Sequence, residues 1–495
     1  MKHGLARQAF GTILTAADTS AMVRAMDGTP MPSEALGRPP VSDQLYEGYS
    51  SIDKVPPELY ERYDVKRGLR NRDGSGVLVG LTTVADVHGY KKIDGKVVPD
   101  EGDLIIRGYS IHDLVRGAHD EDRFGYEELS YLLLTGKLPT QVQLDDYNAR
   151  IDIRRSLPVG YLDIFPRSTA SNSIMNVLQR ASLLLYAFDD HPDDTSAEHE
   201  VDVALSLLGR LPRIAAIAHS AFQSREENRR LVVPPVRDGY CMAETILDVL
   251  RGSEGFTREE AMMLDVMLML HAEHGGGNNS TFSCRVLSSS GTDAYSTYAA
   301  AMGSLKGPKH GGANERVGAM VENIAQNVAH WDNDAEVEAY LNKIALRKVF
   351  DRRGLIYGVG HAVYTLSDPR AVLVKGYAEK LAQEKGMYDK YKLIESIERL
   401  APGVLCSARG IDKPLCANID LYSGFVYEML GIPQDLHTSI FAIARLSGWI
   451  AHRMEELYGS ARIIRPAYRS YMTEHPAYEP MAERDDPDVS NQGAM

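Results

Sequence analysis

The sequence predicts an all-α fold with a small β element near its start, and three observations carry that expectation. Strand signals gather in residues 77–109, where VLVGLTTVADV alternates in part and Asp94-Gly95, between KKI and KVV, forms a hairpin turn. Beyond that stretch apolar residues recur at helical spacing almost without interruption. Capping signals then mark where several of those helices begin and end.

Taken in order, EELSYLLLTGKLP at 127–139 reads as a helix ended by Gly136 and Pro139. VDVALSLLGRLPRIAAIAHSAF at 201–222 has helical spacing broken at Pro212, because proline removes a helical hydrogen bond and crowds the turn before it. Thr257 and Glu260 form a capping-box pattern ahead of an apolar run to Leu270, and Gly275 to Gly277 end that helix. His271 and His274 therefore lie at its exit. The small-residue helix YSTYAAAMGSL precedes GPKHGGANE at 307–315, and another helix starts near Ala313. Asp368-Pro369 supplies an N-cap and an N1 proline before RAVLVKGYAEKLAQ, which places Arg370 in a first helical turn. Further helices are expected at about 389–400, 421–431 and 437–458. Residues 1–40 mix Lys2, Arg7 and Arg24 with Asp18 and Asp27 and lack an apolar signal core, so they read as a loosely ordered extension rather than a secretory signal. The tail from about 470, rich in Pro, Glu and Asp, reads as loose or draped, and no internal repeat is visible.

Composition excludes several function classes. A chain of 495 residues suits two or three domains. Its formal net charge is -14 and its basic residues are scattered, which argues against a nucleic-acid partner. Anions can still be held where a few arginines are focused in a cleft. Cys241, Cys284, Cys406 and Cys416 include no C-x-x-C pair and read as reduced thiols. The most apolar window, MMLDVMLML at 262–270, is too short to span a bilayer and is interrupted by Asp265, so it reads as a buried helix. No membrane partner is expected, and the compartment expected is the cytoplasm, with the mitochondrial matrix as the alternative.

Four segments can carry chemistry: HAEHGGGNNS at 271–280, GPKHGGANE, GVGHAVYTLSDPR at 358–370 and CANIDLYSG at 416–424. Glycines flank His310, so a ligand can approach the backbone where free N–H groups at a helix start favour a carbonyl oxygen or an anion. The competing reading is a turn histidine that satisfies local carbonyls. His361 precedes Arg370 by nine residues, so a neutral donor and a planar guanidinium can reach one small anion together. GVGHAV is not a dinucleotide fingerprint, since Val363 stands where the third glycine belongs, and there is no Walker loop. Asp420 lies among few charges, where desolvation makes a carboxylate a better base; a helix N-cap is the competing reading. Arg445 sits inside the apolar helix SIFAIARLSGWIA, and a charge on a mostly buried helix needs a partner or a ligand. Arg465 in RIIRPAYRS reads by itself as a surface arginine. His271 and His274, three apart with Glu273 adjacent, invite a metal reading, but the pattern is not HExxH, no third ligand is spaced nearby, and no metal is expected.

Taken together, GLTTVADV, GDLIIRGYSIHDL, YEELSYLLLTGKLPT, GPKHGG, GVGHAVY with DPRA, NIDLYSG, the arginine helix and RIIRP resemble the citrate synthase family in order, wording and spacing. The resemblance runs from about residue 77 to 466, some four fifths of the chain. It implies a homodimer of almost wholly helical subunits, with a smaller domain at 312–424 closing over a cleft against a larger one built from 41–311 and 425–495. It implies an acyltransferase that condenses acetyl-CoA with oxaloacetate and hydrolyses citryl-CoA to citrate and CoA, the entry step of the tricarboxylic acid cycle. No cofactor is implied beyond the coenzyme A thioester itself, which is a co-substrate. By resemblance His310 hydrogen-bonds the thioester carbonyl, Asp420 removes the methyl proton, and His361 polarises the ketone of oxaloacetate. His274, Arg370 and Arg445 hold the oxaloacetate carboxylates, with Arg465 supplied by the other subunit. Leu355, Ile356, Tyr357, Gly358, Val359 and Gly360 match the loop that lies along CoA.

The chain departs from many members in GGGNNSTFS after His274 and from several subgroups in YTLSDPR, which leaves acyl preference open. The nearest alternative is 2-methylcitrate synthase, which uses propionyl-CoA with the same catalytic set. One methylene in an apolar pocket is worth only about 1–3 kcal/mol. An inactive binding or regulatory paralogue is the alternative from a different class, and retention of every polar residue the chemistry requires argues against it.

Overall fold

The computed structural model describes residues 45, 49, 55–94, 96–165, 171, 173–227, 229–459, 462–472 and 476–484. The extension expected at 1–40 lies outside them. Contacts divide the described chain into a unit spanning 68–463 and a second unit drawn from 39–67 and from 464 onward. The second unit contains the short helix α1 (Pro57–Arg62), and within it the Arg469 guanidinium stacks 4.3 Å from the Tyr63 ring centroid.

The first unit opens with one antiparallel sheet of β1 (Ala85–Ile93), β2 (Lys96–Ile106) and β3 (Tyr109–Ser110), in that order. Ile93 pairs with Lys96, which closes the hairpin over Asp94-Gly95 as the sequence predicts. Asp94 has φ 51°, as such a turn demands; Gly95 itself lies outside the described residues. The strand expectation fails at 77–83, which has no strand partner. There Thr83 gives its backbone N–H, at 2.6 Å, to the Glu455 carboxylate instead of to a neighbouring strand.

Helices follow almost without pause: α2 (Ile111–Asp120), α3 (Tyr126–Thr135), α4 (Gln141–Asp152), α5 (Tyr161–Ile164), α6 (Ile174–Leu184), α7 (Ala197–Glu226) and α8 (Met242–Arg251). Then come α9 (Arg258–Ala272), α10 (Asn279–Ser288), α11 (Ala294–Leu305), α12 (Ala313–Asn327) and α13 (Asp334–Ala345). The last four are α14 (Pro369–Glu384), α15 (Tyr388–Arg409), α16 (Asp420–Met429) and α17 (His437–Tyr458). The all-α class is therefore observed, with seventeen α-helices and one three-stranded sheet among the described residues.

Caps behave as the sequence says. Thr257 and Glu260 form the capping box of α9, and the Asp368 side chain accepts from Arg370 N ahead of Pro369 at the start of α14. Two expectations of helix extent are corrected. α7 runs unbroken through Pro212, and α15, expected to end near 400, continues through Pro402 to a left-handed Gly410 at φ 61°. Burial decides the first case: Leu211, Pro212 and Ile214 are all in the core, so packing on this turn offsets the lost hydrogen bond.

α17 is buried from Ile440 to Arg453 apart from Phe441, and it packs against α3, α7, α9 and α10, so it forms the axis of the unit. The apolar window 262–270 lies wholly inside the buried part of α9, and no described helix is long and apolar enough to cross a membrane. All four cysteines are free.

Candidate active site

Arg445 projects from the middle of α17 and is fully buried. Its Nε donates to the His271 carbonyl at 2.6 Å, but Nη1 and Nη2 are buried with no hydrogen-bond partner among the described residues. Burial lowers its pKa to about 10, with Glu273 pulling the other way and Arg370 adding to the fall. An uncompensated buried cation costs several kcal/mol, so this geometry is made for an anion.

Arg370 stands in the first turn of α14. Asp368 holds it in a two-point grip, Nε to Oδ1 at 3.0 Å and Nη2 to Oδ2 at 2.7 Å, and also accepts from Ile419 N at 3.3 Å. Burial opposes the Arg370 charge most strongly, but Asp368, Tyr364 and Asp420 together more than offset it and keep the guanidinium above its ordinary pKa. One aspartate thus ties the arginine to the residue just before Asp420.

His361 Nδ1 accepts from Val363 N and Tyr364 N, both at 3.0 Å. With Nδ1 occupied as an acceptor, the ring's proton belongs on Nε2, which makes that nitrogen a neutral donor. Burial, and then Arg370, hold its pKa at about 4. The edge of His274 meets His361 at 5.2 Å between centroids, and burial and Arg370 keep His274 neutral as well. His310 sits on the turn before α12, where its Nε2 lies 3.1 Å from both Asn278 Oδ1 and Ser280 Oγ. Burial and Arg445 bring its pKa to about 4.

Asp420 is the first residue of α16, and its carboxylate does not cap the helix: Asn418 Oδ1 accepts from Asp420 N at 3.0 Å instead. Its carboxylate makes no hydrogen bond among the described residues, and burial pushes its pKa up to about 6 against the pull of Arg370. The segment 355–360 is stitched to this one. Val359 bridges Ala417, Gly360 N donates to Cys416 O at 2.7 Å, and Asn418 donates through N to Gly358 O and through Nδ2 to Gly360 O, both at 2.9 Å. Gly358 has φ 81°, and a Cβ there would meet Leu421 Cβ at 2.9 Å, so glycine is required twice over. Of that segment Ile356 is buried, Leu355 is exposed, and Tyr357 donates to Asp351 at 2.5 Å.

A family model described as citrate synthase, C-terminal domain, matches residues 74–467. The chain belongs to the citrate synthase family. It is 33% identical to a citrate synthase of Haloferax volcanii over 85% of this chain and 99% of that one. It is 32% identical to 2-methylcitrate synthase 1 of Corynebacterium glutamicum over 83% of this chain and 99% of that one. The citrate synthase of Thermoplasma acidophilum, solved as a ternary complex with carboxymethyl coenzyme A and oxaloacetate, superposes with a TM-score of 0.69 at 26% identity, covering 85% of this chain and 99% of that one. The helical architecture is therefore that of citrate synthase.

Within this citrate synthase fold, the six residues His274, His310, His361, Arg370, Asp420 and Arg445 all belong to the first unit, and their charges act on one another. Arg465 is exposed and belongs to the second unit. The metal reading finds no support in the geometry. His271 turns inward, its Nδ1 2.8 Å from the Met267 carbonyl and its ring against Phe441, and no group of three or more ligating side chains forms among the described residues.

Sequence reasoning missed several supporting groups. Glu273 is fully buried; its Oε1 accepts from His452 Nε2 at 2.9 Å and from Gly275 N at 2.5 Å. His452 Nδ1 in turn accepts from Arg285 Nη2 at 2.8 Å, which fixes the His452 proton on Nε2. Asn278 and Ser280, which hold His310, stand in the GGGNNS stretch just after His274. Asp368 was legible only as a cap. Its second task is visible in sequence as an acid two residues ahead of an arginine at a helix start.

Proposed function

We propose that this protein is a citrate synthase in the strict sense, joining acetyl-CoA to oxaloacetate and hydrolysing citryl-CoA. The observation that carries the reading is Arg445, a buried guanidinium with both terminal nitrogens unpaired beside a second buried arginine. Two cations in one dry site suit a small dicarboxylate, and planar forks suit its oxygens. His274 completes the set in this subunit, and Arg465 joins it from a second copy in a homodimer.

Each remaining group has one task. Asp420 takes a proton from the acetyl methyl group; a pKa near 6 leaves it ionised at neutral pH yet more basic than an exposed carboxylate. A thioester α-proton is a weak acid, so the developing enolate oxygen must be stabilised by a donor. His310 supplies it from Nδ1, the ring nitrogen turned away from Asn278 and Ser280: the Ser280 hydroxyl, which in this structure donates to Asn278 Oδ1 at 2.8 Å, turns to His310 Nε2 and leaves the ring proton on Nδ1. The enolate carbon then attacks the ketone carbon of oxaloacetate, and the ketone oxygen gathers its charge against His361 Nε2–H. Removing one such donor typically costs about 10²–10³ in rate. Water cleaves the resulting thioester to citrate and CoA. Closure of 312–424 over the rest of the chain keeps water from the acetyl thioester until the carbon–carbon bond exists. Residues 355–360 lie along CoA, so the bonds from Asn418 couple the co-substrate's position to the base.

Relatives named citrate synthase and 2-methylcitrate synthase match to a similar degree, so acyl preference needs its own measurement. Steady-state CoA release from acetyl-CoA and from propionyl-CoA, each with and without oxaloacetate, is the test. Oxaloacetate-dependent release favouring acetyl-CoA supports the proposal. A higher kcat/KM for propionyl-CoA would make the protein a 2-methylcitrate synthase, and no release from either would sink the catalytic reading.

A further inference from the structure

Tyr364 stands three residues past His361, on the turn that carries the chain toward Arg370, and is 2% exposed. Its backbone N–H donates to His361 Nδ1 at 3.0 Å. Its ring lies against the His361 ring, with centroids 4.5 Å apart and planes 26° from parallel. Its hydroxyl meets His274 Nε2 at 3.2 Å, and the Arg370 guanidinium carbon lies 5.8 Å from its ring centroid. One side chain therefore touches three residues that come from two distant segments.

An imidazole held through one nitrogen can still pivot about that nitrogen. For His361 the Tyr364 face blocks the pivot on one side, and the His274 edge, at 88° to it, blocks another. His274 makes no other side-chain hydrogen bond among the described residues, so the phenol alone fixes its Nε2. The phenol is itself backed by the sheet. A Cβ on Gly89 would sit 2.7 Å from Tyr364 Cα, and one on Gly102 would sit 2.8 Å from Tyr364 Cδ1. An aliphatic side chain of similar bulk would fill the same space but could neither stack nor bond.

We propose that Tyr364 is a positioning residue for the keto-acid half of the site, its ring orienting His361 and its hydroxyl orienting His274. The proposal rests on the citrate synthase reading above. It separates two functions in one residue, so two substitutions divide them.

The experiment uses the full chain as wild type, Tyr364→Phe, Tyr364→Leu, His274→Asn and the double variant Tyr364→Phe/His274→Asn. Tyr364→Phe should weaken oxaloacetate binding roughly fivefold, the worth of one hydrogen bond, and raise its KM more than it lowers kcat, with the acetyl-CoA KM unmoved. In the His274→Asn background the same change should have no further effect on calorimetric oxaloacetate affinity, because the partner is already gone. Tyr364→Leu should in addition lower kcat about tenfold or more through misorientation of His361, and Phe should restore that loss. A merely structural tyrosine would lower melting temperature and active fraction while leaving the KM of intact sites alone. Wild-type oxaloacetate affinity in Tyr364→Phe, or equal effects of that change with and without His274, would overturn the proposal. If Tyr364→Leu does not fold, the phenylalanine cycle decides alone. Wild-type protein that releases no CoA from acetyl-CoA and oxaloacetate would overturn the function and this proposal together, whereas active wild type with an unmoved phenylalanine variant would overturn only the latter.

Discussion

Asp420 is kept in conflict with its surroundings: burial pushes its pKa up to about 6, yet the proposed chemistry needs it ionised. The folded pKa lies above the ordinary carboxylate value, so the folded state favours the proton. Ionised Asp420 therefore costs stability, fully so above about pH 6 and not at all below about pH 4. A shift of that size is worth at most about 3 kcal/mol. Asp420→Asn should accordingly melt higher than wild type at pH 8 and equally at pH 4, while losing about 10²–10⁴ in kcat and binding oxaloacetate as before. Differential scanning calorimetry at the two pH values, with turnover measured alongside, checks this; wild-type turnover would place the base elsewhere. The pH dependence of kcat/KM should fall on the acid side near pH 6 from Asp420 alone. His310 and His361, both near pKa 4, remain neutral across that range. An acid limb that survives in Asp420→Asn with unchanged midpoint would contradict the assignment.

Among the elements, the β1–β2 hairpin has the least expected role. It grips the loop between His361 and α14: Asp100 N donates to Thr365 Oγ1 at 3.3 Å and Gly102 N to Ser367 Oγ at 3.0 Å. A Cβ on Gly102 would also come within 3.0 Å of Pro369 Cδ. Gly102→Ala should overpack this contact, at a cost of about 1–3 kcal/mol, and weaken oxaloacetate more than acetyl-CoA. Equal loss for both substrates in steady-state kinetics would mean that the hairpin supports the fold only. The hairpin turn and the caps of α9 and α14 were legible in the sequence because each depends on a few adjacent residues. The unbroken passage of α7 through Pro212 was not, since it depends on which distant side chains bury that turn. Gly448 shows the same limit. A Cβ there would lie 2.5 Å from Ala272 O and nearer still to Glu273, so α17 and the exit of α9 can approach only through glycine.

At the scale of the molecule, the sequence revealed which residues carry charge in apolar company, as Arg445 and Asp420 do, but not their partners. The bond from Ile419 N to Asp368 and the chain from Arg285 through His452 to Glu273 join residues of separate elements, which no spacing rule reports. Arg465 poses the remaining question of assembly. If it serves a partner's site, each site is composite, and mixing Arg465→Ala subunits with Asp420→Asn subunits should restore activity, because one site of the heterodimer receives both intact residues. No recovery after confirmed subunit exchange would assign both residues to the same chain. The guanidinium of Arg445, its terminal nitrogens unpaired among the described residues, is the proposed seat of a dicarboxylate. Calorimetric titration of oxaloacetate into wild type and Arg445→Lys tests this most directly, since lysine keeps the charge and loses the planar fork. Tight binding to wild type and at least about tenfold weaker binding to the lysine variant is the predicted result; equal affinity in the two proteins would contradict it.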